Sequence, residues 1–154
     1  MALFTSTFVN KVDKKGRISV PASFRMALAN QSFAGVVVFP SFVHQAIEGA
    51  GYELLERLAQ SVEQFDPFTD EHDAFSTTIF GDSHQLSFDS EGRILLPEPL
   101  LAHANITTNA AFLGRGGTFQ IWEPEALIVY KADAIERARA DRTALRRLPP
   151  GGST

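Results

Sequence analysis

The chain has 154 residues, of which 44% are hydrophobic and none is cysteine, with a formal net charge of −4. That size can bury a core as one domain or as two small ones that share it, and the lack of cysteine excludes disulfides, thiolate metal sites and cysteine nucleophiles. No apolar run is long enough for a membrane helix and Met1 to Thr5 has no leader character, so a soluble cytoplasmic protein is expected.

Phe8 to Asp13 alternates apolar and polar residues, Lys14-Lys15-Gly16 supplies a turn, and Arg17 to Val20 resumes the alternation, which predicts a β-hairpin. Gly16 suits the turn position that needs positive φ, and Asp13 has the short side chain that caps such a turn through backbone N–H groups. Pro21 ends the strand and opens a short helix, Ala22 to Ala29, with Phe24 and Leu28 on its apolar stripe. Residues 11 to 25 carry Lys11, Lys14, Lys15, Arg17 and Arg25 against Asp13 alone, a net charge of +4.

Val36 to Phe39 is predicted as a buried strand, followed by Pro40 and a helical stretch from Ser41 to Ile47. Tyr52 to Phe65 is an amphipathic helix with Leu54, Leu55, Leu58, Val62 and Phe65 on one side. Asp66 to Asp73 is expected to be an acidic linker, and Phe75 to Phe80 leads into the second half. Between His44 and Glu91 eleven acidic residues face one basic residue, Arg57, for a net charge of −10. Any polyanion binding is therefore expected in the N-terminal unit.

The second half restates the first. Asp13, Gly16, Arg17, Ile18 and Pro21 recur as Asp89, Gly92, Arg93, Ile94 and Pro97 at a constant offset of 76. A short helix with Leu100, Leu101 and Ala104 follows, then strands at Ala110 to Leu113 and Thr118 to Trp122 around a Gly114 to Gly117 turn. Pro124 opens a helix from Glu125 to Leu145 with Leu127, Tyr130, Ala134 and Ala138 on one face. Pairing Pro40 with Pro124 raises the offset to 84, which gives the first copy a shortened hairpin. Arg137, Arg139, Arg142, Arg146 and Arg147 alternate with Glu136 and Asp141 as a solvated helix face, and Leu148 to Thr154 is expected to be disordered.

Each copy is too small to bury its own apolar face, so two must pack together, most economically as a barrel-like sheet of interleaved hairpins with two Asp/Arg turns about a pseudo-twofold axis. Asp13/Arg17 and Asp89/Arg93 can fix the turns as ion pairs. Lys14, Lys15 and Arg17, with Lys11 and Arg25 nearby, can present charge to a phosphate backbone. The second turn has Ser90-Glu91 in place of the two lysines and brings Arg93 as its only cation. No catalytic residue, metal site or cofactor is expected: His72, Asp73, Asp82 and His84 lack metal-helix spacing, and no nucleophile elbow or phosphate loop is present. Trp122 is expected in the core or at a subunit interface.

The paired Asp-x-x-Gly-Arg turns, Val20 to Arg25 and Ile121 to Ala126 resemble the MraZ family of bacterial proteins, over roughly residues 1 to 140. The resemblance implies an α+β, mainly β fold of two AbrB-like swapped-hairpin repeats forming a pseudo-dimeric β-barrel flanked by helices. Repeat 1 would span 1–65 with its closing helix, an acidic linker and lead-in strand 66–85, repeat 2 with its C-terminal helix 86–145, and a tail 146–154. It implies a sequence-specific, nucleoid-associated DNA-binding regulator, usually a repressor, of the division and cell-wall gene cluster. Its partners would be double-stranded promoter DNA with direct repeats and copies of itself in a ring-shaped homo-oligomer, with no membrane and no small-molecule substrate. The DNA-binding residues would be Lys14, Lys15, Arg17, Lys11, Arg25 and Arg93, and the turn-structuring residues Asp13, Gly16, Asp89 and Gly92. A short loop at Asn30 to Gly35 and Glu91 in the second turn depart from the family pattern. A ring-forming protein-interaction scaffold and an AbrB-type antitoxin are the alternatives.

Overall fold

In the computed structural model, which describes residues 3–147, the chain divides into one unit through Pro124 and a second that begins at Glu125. The first unit runs β1 (Thr7–Lys11), β2 (Arg17–Ser19), α1 (Ala22–Ala27), β3 (Gly35–Pro40), β4 (Ile47–Ala50), α2 (Tyr52–Val62) and α3 (Asp70–Phe75). A π-helical turn (Ser76–Phe80) leads into β5 (His84–Ser87), β6 (Arg93–Leu95), α4 (Glu98–His103), β7 (Asn109–Gly114) and β8 (Phe119–Trp122).

The predicted hairpins form at their turns and then part. Val12 bridges Ile18, but beyond that β1 pairs with β7 and β2 pairs with β6. The second copy does the same, with β5 on β3 and β6 on β2. Each copy's hairpin is thus completed by the other copy. The registers obey the duplication: Val9 faces Ala111 as Gln85 faces Val37. In β2–β6 the pairs Arg17–Leu95 and Ser19–Arg93 flank Ile18–Ile94, so equivalent residues meet about a local twofold axis. In β4–β8 Glu48 faces Gln120 in the same way, and Gln120 Nε2 donates to the Glu48 carboxylate at 3.0 and 3.2 Å.

The expected closed barrel is not found among the described residues. The main sheet has six antiparallel strands in the order β1-β7-β8-β4-β3-β5, with β1 and β5 as edges, and β2–β6 forms a separate two-stranded ribbon. Parting of the hairpin strands after one bridge sends them to different sheets, which leaves the larger sheet open. Both layers contribute to one core. Ile18 and Ile94 from the ribbon join Phe24 of α1, Leu100 of α4 and Phe4, Val36, Ile47, Phe112, Phe119 and Ile121.

The expected helix over Ser41 to Ile47 is instead a hairpin loop and a strand. Pro40 is the last residue of β3, opposite Ile47, and the Ser41 hydroxyl accepts from the Val43 and His44 amides at 3.2 Å, closing the loop locally. Gly49 lies under the Phe119 ring, where a Cβ would overlap it. β4 is therefore the partner of β8, and Pro40 does not correspond to Pro124. The offset falls from 76 to 74 between β3 and β7, whose first residues are 35 and 109, and to 72 between β4 and β8, which begin at 47 and 119. Relative to the second copy, the first is longer at both loops, including the one at Asn30 to Gly35.

The acidic stretch expected as a linker contains α3. Thr69 Oγ1 accepts from the His72 amide at 3.3 Å, and Asp70, Glu71 and Asp73 place negative charge in the first turn, where helix N–H groups favour it. From Glu125 onward the second unit consists of α5 (Pro124–Ala140), whose first residue closes the first unit, and a 3₁₀ turn (Arg142–Arg147). In α5, Arg137 pairs with Asp133 at 2.8 Å and Arg139 with Glu136 at 3.5 Å, the ladder of charges expected from their spacing. The tail from Leu148 lies outside the described residues.

Candidate nucleic-acid interface

The two Asp/Arg turns carry the same network. In the first, Asp13 Oδ1 accepts from the amides of Lys15 and Arg17 at 2.9 Å each, and Oδ2 accepts from Arg17 Nε at 2.6 Å. In the second, Asp89 Oδ1 accepts from Glu91 and Arg93 at 2.9 Å each, and Oδ2 from Arg93 Nε at 2.8 Å. Gly16 and Gly92 have φ of +89° and +76°. Both turns close with a glycine amide donating to the aspartate carbonyl at 3.0 Å.

The amide of Arg17, then its side chain and the amide of Lys15, hold Asp13 below the ordinary carboxylate range. The amides of Arg93 and Glu91 and the Arg93 side chain do the same for Asp89. Because the folded values are depressed, the contribution of each carboxylate is present above the ordinary aspartate range and is lost as pH falls through the folded value. Chemical shifts of the Lys15 and Arg17 amides should therefore hold steady from neutral pH to about pH 5, and move only in stronger acid. Titration of these amides near pH 6 would contradict the assignment.

Each turn leans on the other copy. Val20 N–H donates to the Gly92 carbonyl at 3.1 Å, and Leu96 N–H donates to that of Gly16 at 2.9 Å. A Cβ at Gly16 would stand 3.0 Å from the Leu96 carbonyl oxygen, and Leu101 packs alongside. Gly16→Ala should cost about 1–3 kcal/mol, from strain at positive φ and this close carbonyl. Urea unfolding checks it, and a cost near zero would show that the turn relaxes freely.

The same exchange relocates one candidate. Arg25, expected near the first turn, lies against the second: a Cβ at Gly92 would stand 2.7 Å from its guanidinium, and its Nε donates to the Val20 carbonyl at 3.2 Å. Arg93 is thus not the only cation at the second turn. The sequence spacing could not show this, because α1 crosses to the partner hairpin. Position Leu101 is the symmetry equivalent of Arg25 and packs on Gly16, so the offset of 76 would have linked them once the pairing was known.

Lys14 and Lys15 are exposed at the first turn, and Lys11 is exposed at the end of β1. Arg17 and Ser19 alternate with the fully buried Ile18, so they project from the outer face of the β2–β6 ribbon, beside Arg93 and the exposed Leu95. The Asp89 side chain, and more weakly the charges of Glu91 and Asp13, raise Arg93 above its ordinary value. Arg17 is bound to Asp13 through Nε, and its side chain is 36% exposed. Arg93 is held further, by Glu91 on its Nη2 at 3.0 Å, a contact that residue-type reading of the second turn did not anticipate.

A cationic turn beside a narrow two-stranded ribbon is an arrangement that can follow a phosphate backbone while strands enter a major groove. The family model described as "MraZ protein, putative antitoxin-like" matches residues 79–148. A transcriptional regulator MraZ from Pelagibacter ubique is 46% identical over 144 residues, covering 94% of this chain and 93% of its own. Those from Rickettsia canadensis and Rickettsia bellii are 46% and 44% identical over 146 and 147 residues, each covering 95% of this chain and 98% of its own. Similarity of this extent, spanning both copies of the turn, shows that the chain belongs to the MraZ family of transcriptional regulators.

Proposed function

We propose that this protein is a sequence-specific DNA-binding repressor of a division and cell-wall gene cluster, engaging direct-repeat promoter DNA through the basic turn of its first repeat. The observation that carries this reading is the Asp13–Arg17 turn, where two exposed lysines precede an arginine whose guanidinium is paired with a carboxylate. Exchange of strands between the copies supports two AbrB-like swapped-hairpin repeats, the first over 1–65 and the second over 86–145, separated by the acidic segment 66–85. Acidic charge in that middle segment repels DNA, so it favours a docking pose led by the turns.

Three cations give about three phosphate contacts, which is weak and salt-sensitive binding for a lone turn. A ring-shaped homo-oligomer in the cytoplasm, associated with the nucleoid, would array many turns and gain through effective concentration. Half-site spacing must then match subunit spacing. Fluorescence anisotropy on promoter DNA with direct repeats, against DNA of equal length with the repeats scrambled, tests the proposal. Preferential binding by an oligomer, read by sizing chromatography, is expected; equal affinity for both DNAs, or none for either, would overturn it.

A further inference from the structure

Position 15 of the first turn is Lys and its equivalent in the second, position 91, is Glu, at the offset of 76. Both backbone amides make the same bond to the turn aspartate, so the two side chains leave equivalent points of equivalent turns. Their effects are opposite. Lys15 adds a cation, whereas the Glu91 carboxylate reaches along the turn to Arg93 Nη2 at 3.0 Å, on the guanidinium that Asp89 already holds through Nε.

We infer that Glu91 sets the strength of DNA engagement by the second turn, acting as an internal competitor that occupies Arg93 in place of a phosphate. This rests on the DNA-binding reading above. A carboxylate on Nη2 takes the donor that a phosphate oxygen would use, and its charge opposes an approaching phosphate. Glu91 is 67% exposed, and an ion pair so open to water is weak enough for a phosphate to displace. The second turn is therefore restrained rather than dead. Arg25 of the first repeat, packed on Gly92, supplies the cation that remains when Glu91 neutralises Arg93. Glu91 thus adds to the absence of lysines equivalent to Lys14 and Lys15 in setting the second turn below the first, which lets the first lead and the second follow.

The test compares wild type, Glu91→Gln, Arg93→Ala and the double variant by anisotropy on direct-repeat DNA across a salt series. Glu91→Gln should bind several-fold more tightly, with a salt slope steeper by about 0.9, one additional phosphate contact. That gain should vanish in the Arg93→Ala background. Unchanged affinity and slope in Glu91→Gln, or a gain that persists without Arg93, would overturn the inference, the latter by reducing it to general charge. Should wild type itself bind no DNA, the DNA-binding reading fails and the inference falls with it; binding by wild type with an inert Glu91→Gln removes the inference alone.

Discussion

Phe24→Ala should cost about 3–5 kcal/mol, a large share of the roughly 5–15 kcal/mol that holds a domain of this kind together. Phe24 is 1% exposed. Its ring meets Phe4 edge-on at 5.2 Å, Phe8 at 5.7 Å and Phe112 at 6.0 Å, and lies tilted against Phe119 at 5.3 Å. Edge-to-face pairs of this kind add to the burial term. Phe24 belongs to the first copy, whereas Phe112 and Phe119 belong to the second, so truncation opens a cavity at the seam where the copies join. Loss of that contact should unfold both together. Urea denaturation with a single transition shifted to lower denaturant is expected, whereas a shift worth less than about 1 kcal/mol would show that the seam repacks around the gap.

Asp13→Ala should leave the core intact and lower DNA affinity by about tenfold or more, since it releases Arg17 and uncaps the amides that shape the turn. Two effects oppose each other here. Removal of a negative charge beside phosphate favours binding, while loss of the oriented guanidinium disfavours it. Organisation should prevail because Asp13 makes three bonds within the turn. Asp13→Asn, which keeps an acceptor for the amides but not the charge that pairs with Arg17, should fall between. Tighter binding by Asp13→Ala would mean that bulk charge governs the contact and the turn's geometry does not matter.

The duplication and the turn chemistry were legible in the sequence because both are local. A glycine at positive φ and an aspartate capping two amides depend on residues within four positions, and both turns form as their residues require. Short helices after Pro21 and Pro97 followed from the same logic. What could not be read locally was the partner of each strand. Placement of Arg25 on the second turn is a consequence of strand exchange, which leaves no trace in spacing along one copy.

A helix over Ser41 to Ile47 treats Pro40 as a helix opener, and its pairing with Pro124 follows from that. A proline also ends a strand, and Pro40 does so past Val38, the last residue of β3 paired with β5. Ile47-Glu48-Gly49-Ala50 offered the alternative, since a glycine in a strand marks a close neighbour, here Phe119. The helix at Asp70–Phe75 had a readable start, Thr69 followed by Asp70 and Glu71, which its acidity masked.

The central claim is that the first turn contacts phosphate, and the salt dependence of binding by Lys15→Ala/Arg17→Ala tests it most directly. On direct-repeat DNA the double variant should bind more weakly and show a slope of log affinity against log salt shallower by about 2, the loss of two phosphate contacts per turn engaged. Wild-type affinity and slope in this variant would contradict the claim and remove the first turn as the reader of DNA.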